Sequence, residues 1–483
     1  VSGVGTNFTG LAIAAAYNCG IRNFDVALGY QAARKNELGS EGRPAGAGKL
    51  DVGKFVSQGY SPYLPELGMQ TTPDGSGFAA SHTLEYSFSA YAVAQMARQL
   101  GHEADYEQLK KLSGGWELLF DPETKYIRPR DRSGEFIADF DPYAAWAGFQ
   151  EGNAVQYTYY VPHDIDRLVE MVGREEFNNR LDSTFLISRE SVFGGGKTIN
   201  AFAGVHAYYN HGNQPNLHIS ALFNFSGKPW LSQKWMRTIC NEFYGTEEIH
   251  GYGYGQDEDQ GQLGAWYVMA SMGLFDAKGL TAPDPTFQIG SPLFDKVTIR
   301  LNPDYYTGKE FVIETTGNTP ENYYIGSLEL DGKPLQSVQL PFAEVVGGGT
   351  LLIDGDCEIT GGKGATGVSV SQRGGDLYVS VEGSIRGGEG GGSGMEVSPL
   401  SEYGTMMLAG TIRGGNDAMM GGTGLNLFGL SGNAFITVAG SVRGGRGAAG
   451  GAGMQVVSIG DTVSIGVNGE IRGGSGNEYG GNA

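Results

Sequence analysis

The sequence predicts a chain of mixed α and β class, helical over residues 1–288 and β-rich beyond them. Three observations carry this expectation. Apolar residues recur at helical spacing in the first part, most clearly in SHTLEYSFSAYAVAQMARQL (81–100), where Leu84, Phe88, Tyr91, Ala92 and Met96 form one stripe. After Gly290 the segments FDKVTIRLNP, EFVIETTGN, YYIGSLELDGKPL and GTLLID alternate apolar and polar residues between turn signals, the pattern of strands. From about Asp354 a degenerate repeat takes over: GSIRGGEGGGSGMEV, GTIRGGNDAMMGGTGLNL, GSVRGGRGAAGGAGMQV and GEIRGGSGNEYGG begin at residues 383, 410, 440 and 469. Arg386, Arg413, Arg443 and Arg472 thus stand 27, 30 and 29 residues apart, and CEITGGKGATGVSV reads as a first copy with Thr360 in the arginine's place. Short β segments with glycine turns at a fixed period mark a stacked, solenoid-like array. A flexible linker would leave the regularly placed Ile, Val, Leu and Met in water. The division that follows is residues 1–288, 289–354 and 355–483.

Taken in order, the first part holds helices at Phe24–Lys35, Ser81–Leu100 and Tyr106–Leu119, with turn signals at Pro62, Pro65 and Pro73 between the first two. FDPETKYIRPRDRSGEF reads as a hairpin-like excursion with Arg128 and Arg130. After Pro162 a helix runs from about Asp164 to Val172, and Glu175–Asp182 continues the helical character. The stretch Gly251–Gly273 alternates glycine with tyrosine, sets Asp257, Glu258 and Asp259 in a row, and enters a helix carrying Leu263, Trp266, Tyr267 and Ala270 that stops at Gly273.

At 483 residues the chain has room for two or three domains. A formal charge of −20 argues against nucleic acid or an anionic membrane as partner and suits an extracellular protein. Cys19, Cys240 and Cys357 lie far apart in no metal or redox spacing and read as isolated thiols. No apolar run reaches transmembrane length, and no signal-like start is present. The chain begins with Val1 rather than Met, so the expectation is a processed product or a piece of a longer one.

Three places could carry chemistry. Carboxylates at a helix start are held ionised by the helix dipole, as a general base requires, although such residues often only cap. Glu151 stands amid Trp146, Phe149, Tyr157, Tyr159 and Tyr160, surroundings that disfavour its charge and suit a general acid; the plain alternative is an exposed loop glutamate. The NHGNQPN loop offers Asn210, Asn213, Gln214 and Asn216, oxygen donors of the kind calcium takes, or simply a polar turn. His206, His211 and His218 form no His-x-x-x-His pair for a transition metal.

Together, TLEYSFSAYAVAQMA (from 83), YIRPRD (126), EGNAVQYTYYVPHD (151), HGNQPNLHI (211), GKPWLSQKWMR (227), GQDEDQGQLGAWYVMASMGLF (255) and IGSPLFDKVTIRL (289) resemble, in order, the motifs of glycoside hydrolase family 92, the calcium-dependent exo-α-mannosidases. The resemblance covers residues 80 to about 352. It implies a partial (α/α)6 toroid followed by β-sandwich strands, with the Gly-rich β-solenoid-like array as an addition. It also implies removal of terminal α-mannose from glycans with inversion: Glu151 matches the general acid and Asp259 the general base, with Asp257 as its partner. Asn213 and Gln214 are the expected calcium ligands, and Trp146, Gln156, His218 and Trp266 the expected substrate contacts. Val155, Gln214, Leu217, Leu263 and Gly264 depart from the usual motif residues. The family's N-terminal β-sandwich is missing and is expected on an upstream segment or another chain. The repeats are expected to attach the protein or to mediate self-association, and the location is secreted or cell-surface. The rival expectation is a structural or adhesive glycan-binding surface protein with an inactive mannosidase-like body.

Overall fold

The computed structural model describes residues 8–42, 50–194, 204–245, 261–319, 322–355, 358–370, 377–381, 383–398, 403–430, 433–458 and 462–482. The chain divides into two compact units, Val1–Thr315 with Glu329–Leu352, and Thr316–Leu328 with Ile353–Ala483.

In the first unit, helices α1 (Phe8–Asn18), α2 (Val26–Leu38) and α3 (Val52–Gln58) precede the long α4 (Ala79–Gln99), and α5 (Glu103–Ser113) follows it. Asp25 sets the start of α2 by accepting the Leu28 N–H at 2.9 Å, a side-chain N-cap. The helix expected over Tyr106–Leu119 instead breaks at Gly114–Gly115 and finishes as a 3-10 turn. A Cβ on Gly115 would lie 2.4 Å from the Gly59 carbonyl, so only glycine fits that crossing.

The single apolar stripe expected on α4 is corrected by the structure. All of α4 is buried except Tyr91, Arg98 and Gln99. One side packs Tyr86, Ala90, Val93 and Ala97 against α1, α2, α3 and α5. The other packs Ala80, Leu84 and Phe88 into a second cluster with Trp116, Tyr160, Leu168, Trp235 and Trp266. A helix between two cores buries its polar residues too, and these then require partners. Asp51, fully buried, accepts from the Ser61 hydroxyl, from His82 Nδ1 at 2.8 Å and from the Tyr86 hydroxyl at 2.9 Å. Burial alone would raise its pKa; the contacts with His82, Ser61 and Tyr86 outweigh this and hold it at about 2.

His163 is a second buried polar group. Its ring stacks on Phe88 at 5.7 Å, and Nε2 donates to the Ser113 carbonyl at 2.9 Å. Nδ1 is buried without a hydrogen-bond partner, so the neutral tautomer fits and a charged ring would strand an N–H. Burial pushes the pKa down to about 4. Because the unfolded chain takes up this proton first, near pH 6.5, stability falls as pH drops from there toward 4, by about 3 kcal/mol for this residue. Urea titrations at pH 7 and pH 4.5 check it: His163→Phe should remove most of that pH-dependent loss, and an unchanged pH dependence would refute the assignment.

Further helices are α6 (Ala154–Tyr157), α7 (Ile165–Val172), α8 (Arg174–Arg189), α9 (Pro229–Glu242) and α10 (Gln262–Met272). Gly273 closes α10 in left-handed conformation (φ 77°), its N–H reaching the Met269 and Ala270 carbonyls. No helix among the described residues is long and apolar enough to cross a membrane. The alternating segments are strands: Lys296–Arg300 pairs antiparallel with Glu310–Thr316, with Val297 opposite Ile313, in a five-stranded sheet. Phe311, Ile313 and Leu351 line its buried face. FDPETKYI forms the hairpin, Phe120 opposite Ile127.

In the second unit the first four copies each supply one short strand to each of three parallel sheets, and the last copy extends the first of them. The first sheet stacks Glu358–Thr360, Ser384–Arg386, Thr411–Arg413, Ser441–Arg443 and Glu470–Arg472. Ile385, Ile412 and Val442 face a core shared with Met395, Leu425, Met406, Ile436 and Val438 from the other sheets. Thr360 stands in register with Arg386, the place the first copy predicts for it. At four of the glycine corners the requirement is space rather than a left-handed backbone. Gly388, Gly415, Gly445 and Gly474 are absent from the positive-φ glycines, yet a Cβ on each would lie 1.8–2.0 Å from a glycine carbonyl one repeat earlier. What they provide is room for backbone to approach backbone. Cys19 and Cys240 are buried free thiols, and Cys357 lies outside the described residues.

Candidate active site

Glu151 sits in a loop tied down from three directions. The Trp146 N–H donates to the Gly152 carbonyl at 3.0 Å, closing the loop around it. On the N-terminal side, the Gln150 N–H donates to Ser81 Oγ at 2.8 Å and the Tyr157 hydroxyl to the Gln150 carbonyl at 2.6 Å. Asn213 Nδ2 donates to the Glu151 carbonyl at 2.9 Å. Glu151 itself has φ 56° and Trp146 φ 67°, left-handed values that cost a non-glycine residue about 1–3 kcal/mol and persist only where the surroundings enforce them. Of the aromatic residues near it in sequence, Phe149, Tyr157, Tyr159 and Tyr160 are buried, each at most 5% exposed, and Tyr159 packs against Phe177.

The rest of the EGNAVQY motif explains how the loop is held. Asn153 caps α6 by accepting the Gln156 N–H at 3.1 Å, and its amide donates to the Val205 and Ala207 carbonyls at 3.0 and 3.1 Å. Gln156 Nε2 donates to the Gly204 and Ala207 carbonyls at 2.8 Å each, and its Oε1 accepts from Asn216 at 3.3 Å. Gln156, expected to touch substrate, is 1% exposed and spends both ends of its amide on protein partners. Trp146 lies on the loop, tilted against Phe78 at 5.8 Å.

A cleft of about 290 Å³ brings together Gln214, His218 and Trp266 of the expected site, with Phe88, Tyr160 and Asp276 among its other walls. His218 Nε2 donates to the Tyr159 carbonyl at 2.7 Å; burial pushes its pKa down to about 4, so it faces the cleft neutral. Trp266 is 2% exposed, donates to the Leu217 carbonyl at 2.8 Å and stacks on Tyr244. Asp276 was not singled out by sequence. It accepts the Lys278 and Leu280 N–H groups at 2.8 and 2.6 Å, while burial raises its pKa from the ordinary value. Nothing in its local sequence distinguishes it from a turn aspartate.

Asp257 and Asp259 lie outside the described residues. No group of three or more His, Cys, Asp or Glu able to hold a metal is found among the described residues. His211 is a core residue rather than a ligand: its two nitrogens meet the Tyr209 and Tyr244 hydroxyls at 2.7 and 2.8 Å. The oxygens of the Asn213 loop are another matter. Asn210 Oδ1 and Asn216 Oδ1 are buried with no hydrogen-bond partner, a costly arrangement unless something accepts their lone pairs.

Residues 4–354 match the model of the glycosyl hydrolase family 92 catalytic domain. A protein of Arthroderma benhamiae described as an uncharacterized secreted glycosidase is 28% identical over 379 residues, 71% of this chain and 43% of the relative. The structure of a family GH92 α-mannosidase from Bacteroides thetaiotaomicron superposes with a TM-score of 0.59 at 28% identity, covering 71% of this chain and 41% of that one. A GH92 inverting mannosidase from the same organism gives 0.59 at 27% identity, covering 71% and 45%. The chain therefore spans less than half the length of each of these relatives. From the matched residues it follows that the chain belongs to glycosyl hydrolase family 92.

Proposed function

We propose that this chain carries the acid, base and cation loop of a calcium-dependent, inverting exo-α-mannosidase acting on mannose-containing glycans. Beside the family membership, the observation that supports the reading most is the clamp on Glu151, whose strained backbone is fixed from Gln150, Trp146 and Asn213 at once. Such enforcement suits a group that must meet a glycosidic oxygen in one orientation.

In this reading Glu151 protonates the departing oxygen, and Asp259, partnered by Asp257, activates water on the opposite face of the sugar. The two carboxyl groups would stand about 6.5–9.5 Å apart, leaving room for that water. Trp146, His218 and Trp266 border the sugar, with Gln156 positioning the loop rather than touching substrate. Asn213 and Gln214 would hold calcium. The amide oxygens of this loop, including the orphaned Oδ1 of Asn216, fit a cation that prefers oxygen donors. Bound there, calcium would orient sugar hydroxyls and stabilise charge.

The helical unit is read as part of an (α/α)6 toroid and the stacked repeats as a β-solenoid. Because the chain spans less than half of its relatives, the reading includes an N-terminal β-sandwich on an upstream segment or another chain. A secreted or cell-surface location agrees with the name given to the fungal relative.

The test is mannose release from α-1,2-mannobiose by the protein together with that sandwich, with the first-formed anomer read by NMR. Release of β-mannose that stops with EGTA and returns with calcium, but not magnesium, is expected. Undiminished release in EGTA would overturn the calcium dependence. No release with calcium present would overturn the hydrolase and leave an inactive glycan-binding body.

A further inference from the structure

The four repeat arginines do more than mark the period. Arg386, Arg413, Arg443 and Arg472 are paired in register across successive parallel strands of the first sheet. Alternate residues of a strand point to opposite faces, and Ile385, Ile412 and Val442 between them point into the core. The arginines therefore form one outward column, with steps of about 4.8 Å and a length of about 14 Å. Their side chains are 28% exposed at Arg386, 48% at Arg443 and 69% at Arg472. Beside this column, two residues earlier in register, runs the row Glu358, Ser384, Thr411, Ser441 and Glu470, in which Ser441 Oγ is buried.

Like charges directly opposite each other on neighbouring strands destabilise a sheet. Two carboxylates relieve the column only in part: Glu389 pairs with Arg386, and Glu470 with Arg443 and Arg472. Among the described residues no acidic side chain pairs with Arg413, and the Nε of Arg386 is buried without a hydrogen-bond partner. The column thus holds fork-shaped donors in excess of its acceptors, in a chain whose net charge is −20.

We infer that this column binds an extended acidic polysaccharide, its carboxylate or sulfate groups bridging neighbouring arginines and its hydroxyls meeting Ser384 and Thr411. Guanidinium forks match planar carboxylates and sulfates. A stripe one residue wide fits a single extended strand rather than a bilayer surface. The large negative charge of the chain works against a polymer as densely charged as nucleic acid. The observations lie wholly within the repeats and do not depend on the mannosidase reading.

The experiment is affinity electrophoresis of the full chain in gels containing polygalacturonate, dextran sulfate, neutral dextran or single-stranded DNA, at several salt concentrations. Retardation by one or both acidic polysaccharides and not by neutral dextran is expected, weakening as salt rises. Comparing the first two gels tells carboxylate from sulfate. Arg413→Gln should weaken binding about tenfold or more, while Arg413→Lys, which keeps the charge but not the fork, recovers only part of it. If Arg413→Gln lowers the melting midpoint, Arg472→Gln, at the exposed end, carries the same test. No retardation by either acidic polysaccharide, equal retardation by neutral dextran, stronger retardation by DNA, or unchanged binding in a natively folded glutamine variant would overturn the inference. Mannose release is not read in any arm, so failure here leaves the mannosidase reading untouched.

Discussion

Glu151→Gln is expected to lower turnover of an unactivated α-mannoside by about 10²–10⁴-fold, the contribution typical of a positioned general acid. Turnover of a 4-nitrophenyl α-mannoside should fall far less, because nitrophenolate departs without a proton. The contrast between the two substrates separates loss of an acid from general damage to the site. Glutamine preserves the backbone carbonyl that Asn213 holds, so the loop should keep its shape. Equal losses on both substrates would mean that Glu151 positions or binds rather than donates a proton. Undiminished turnover of the unactivated mannoside would remove it from the mechanism.

Asp51→Ala should destabilise the first unit by about 3–5 kcal/mol, the range for removing one member of a buried charge pair. The deletion leaves His82 Nδ1 and the Ser61 and Tyr86 hydroxyls, all buried, without their common partner. Asp51→Asn keeps an acceptor and should cost less. The pH dependence has a definite sign. With the carboxyl held at about 2 against an ordinary 3.8, its stabilisation is fully present above about pH 4. It disappears as pH falls through 2, an effect on the order of 2 kcal/mol that Asp51→Asn should lack. Urea midpoints between pH 2 and pH 7 would show both. A midpoint for Asp51→Ala within 0.5 kcal/mol (about the usual range of surface substitutions) of the parent would mean that the cluster contributes nothing.

What the sequence revealed and what it hid follow from the kind of signal each element leaves. The repeats were legible because a fixed period survives substitution, and parallel stacking turns that period directly into register. The strands after Gly290 announced themselves by alternation. Helix α9 went unread although Trp235, Met236, Ile239 and Cys240 fall at helical spacing; the polar loop ahead of it drew the reading toward turns. The two-sided burial of α4 was hidden because its polar residues look like a solvent face until Asp51 and its partners are brought against them. At the candidate site, Glu151 was singled out by the family motif it stands in, since its aromatic company alone left an exposed loop glutamate as the plain alternative. The left-handed backbone that fixes it, and the role of Gln156 as a brace, arise from contacts with residues 204–216 that no local pattern encodes.

The stacked repeats carry one more consequence, for how such a segment is built over time. Each strand finds its partner one repeat back along the chain, so a repeat leaving the ribosome meets a template already in place. The glycine carbonyl contacts keep the corners stacked, while the spacings of 27, 30 and 29 residues show that a few extra residues are taken up between corners. Duplication or loss of a complete turn respects both conditions. The array is thus a part whose length can drift by gene slippage in units of one turn, its neighbours unchanged.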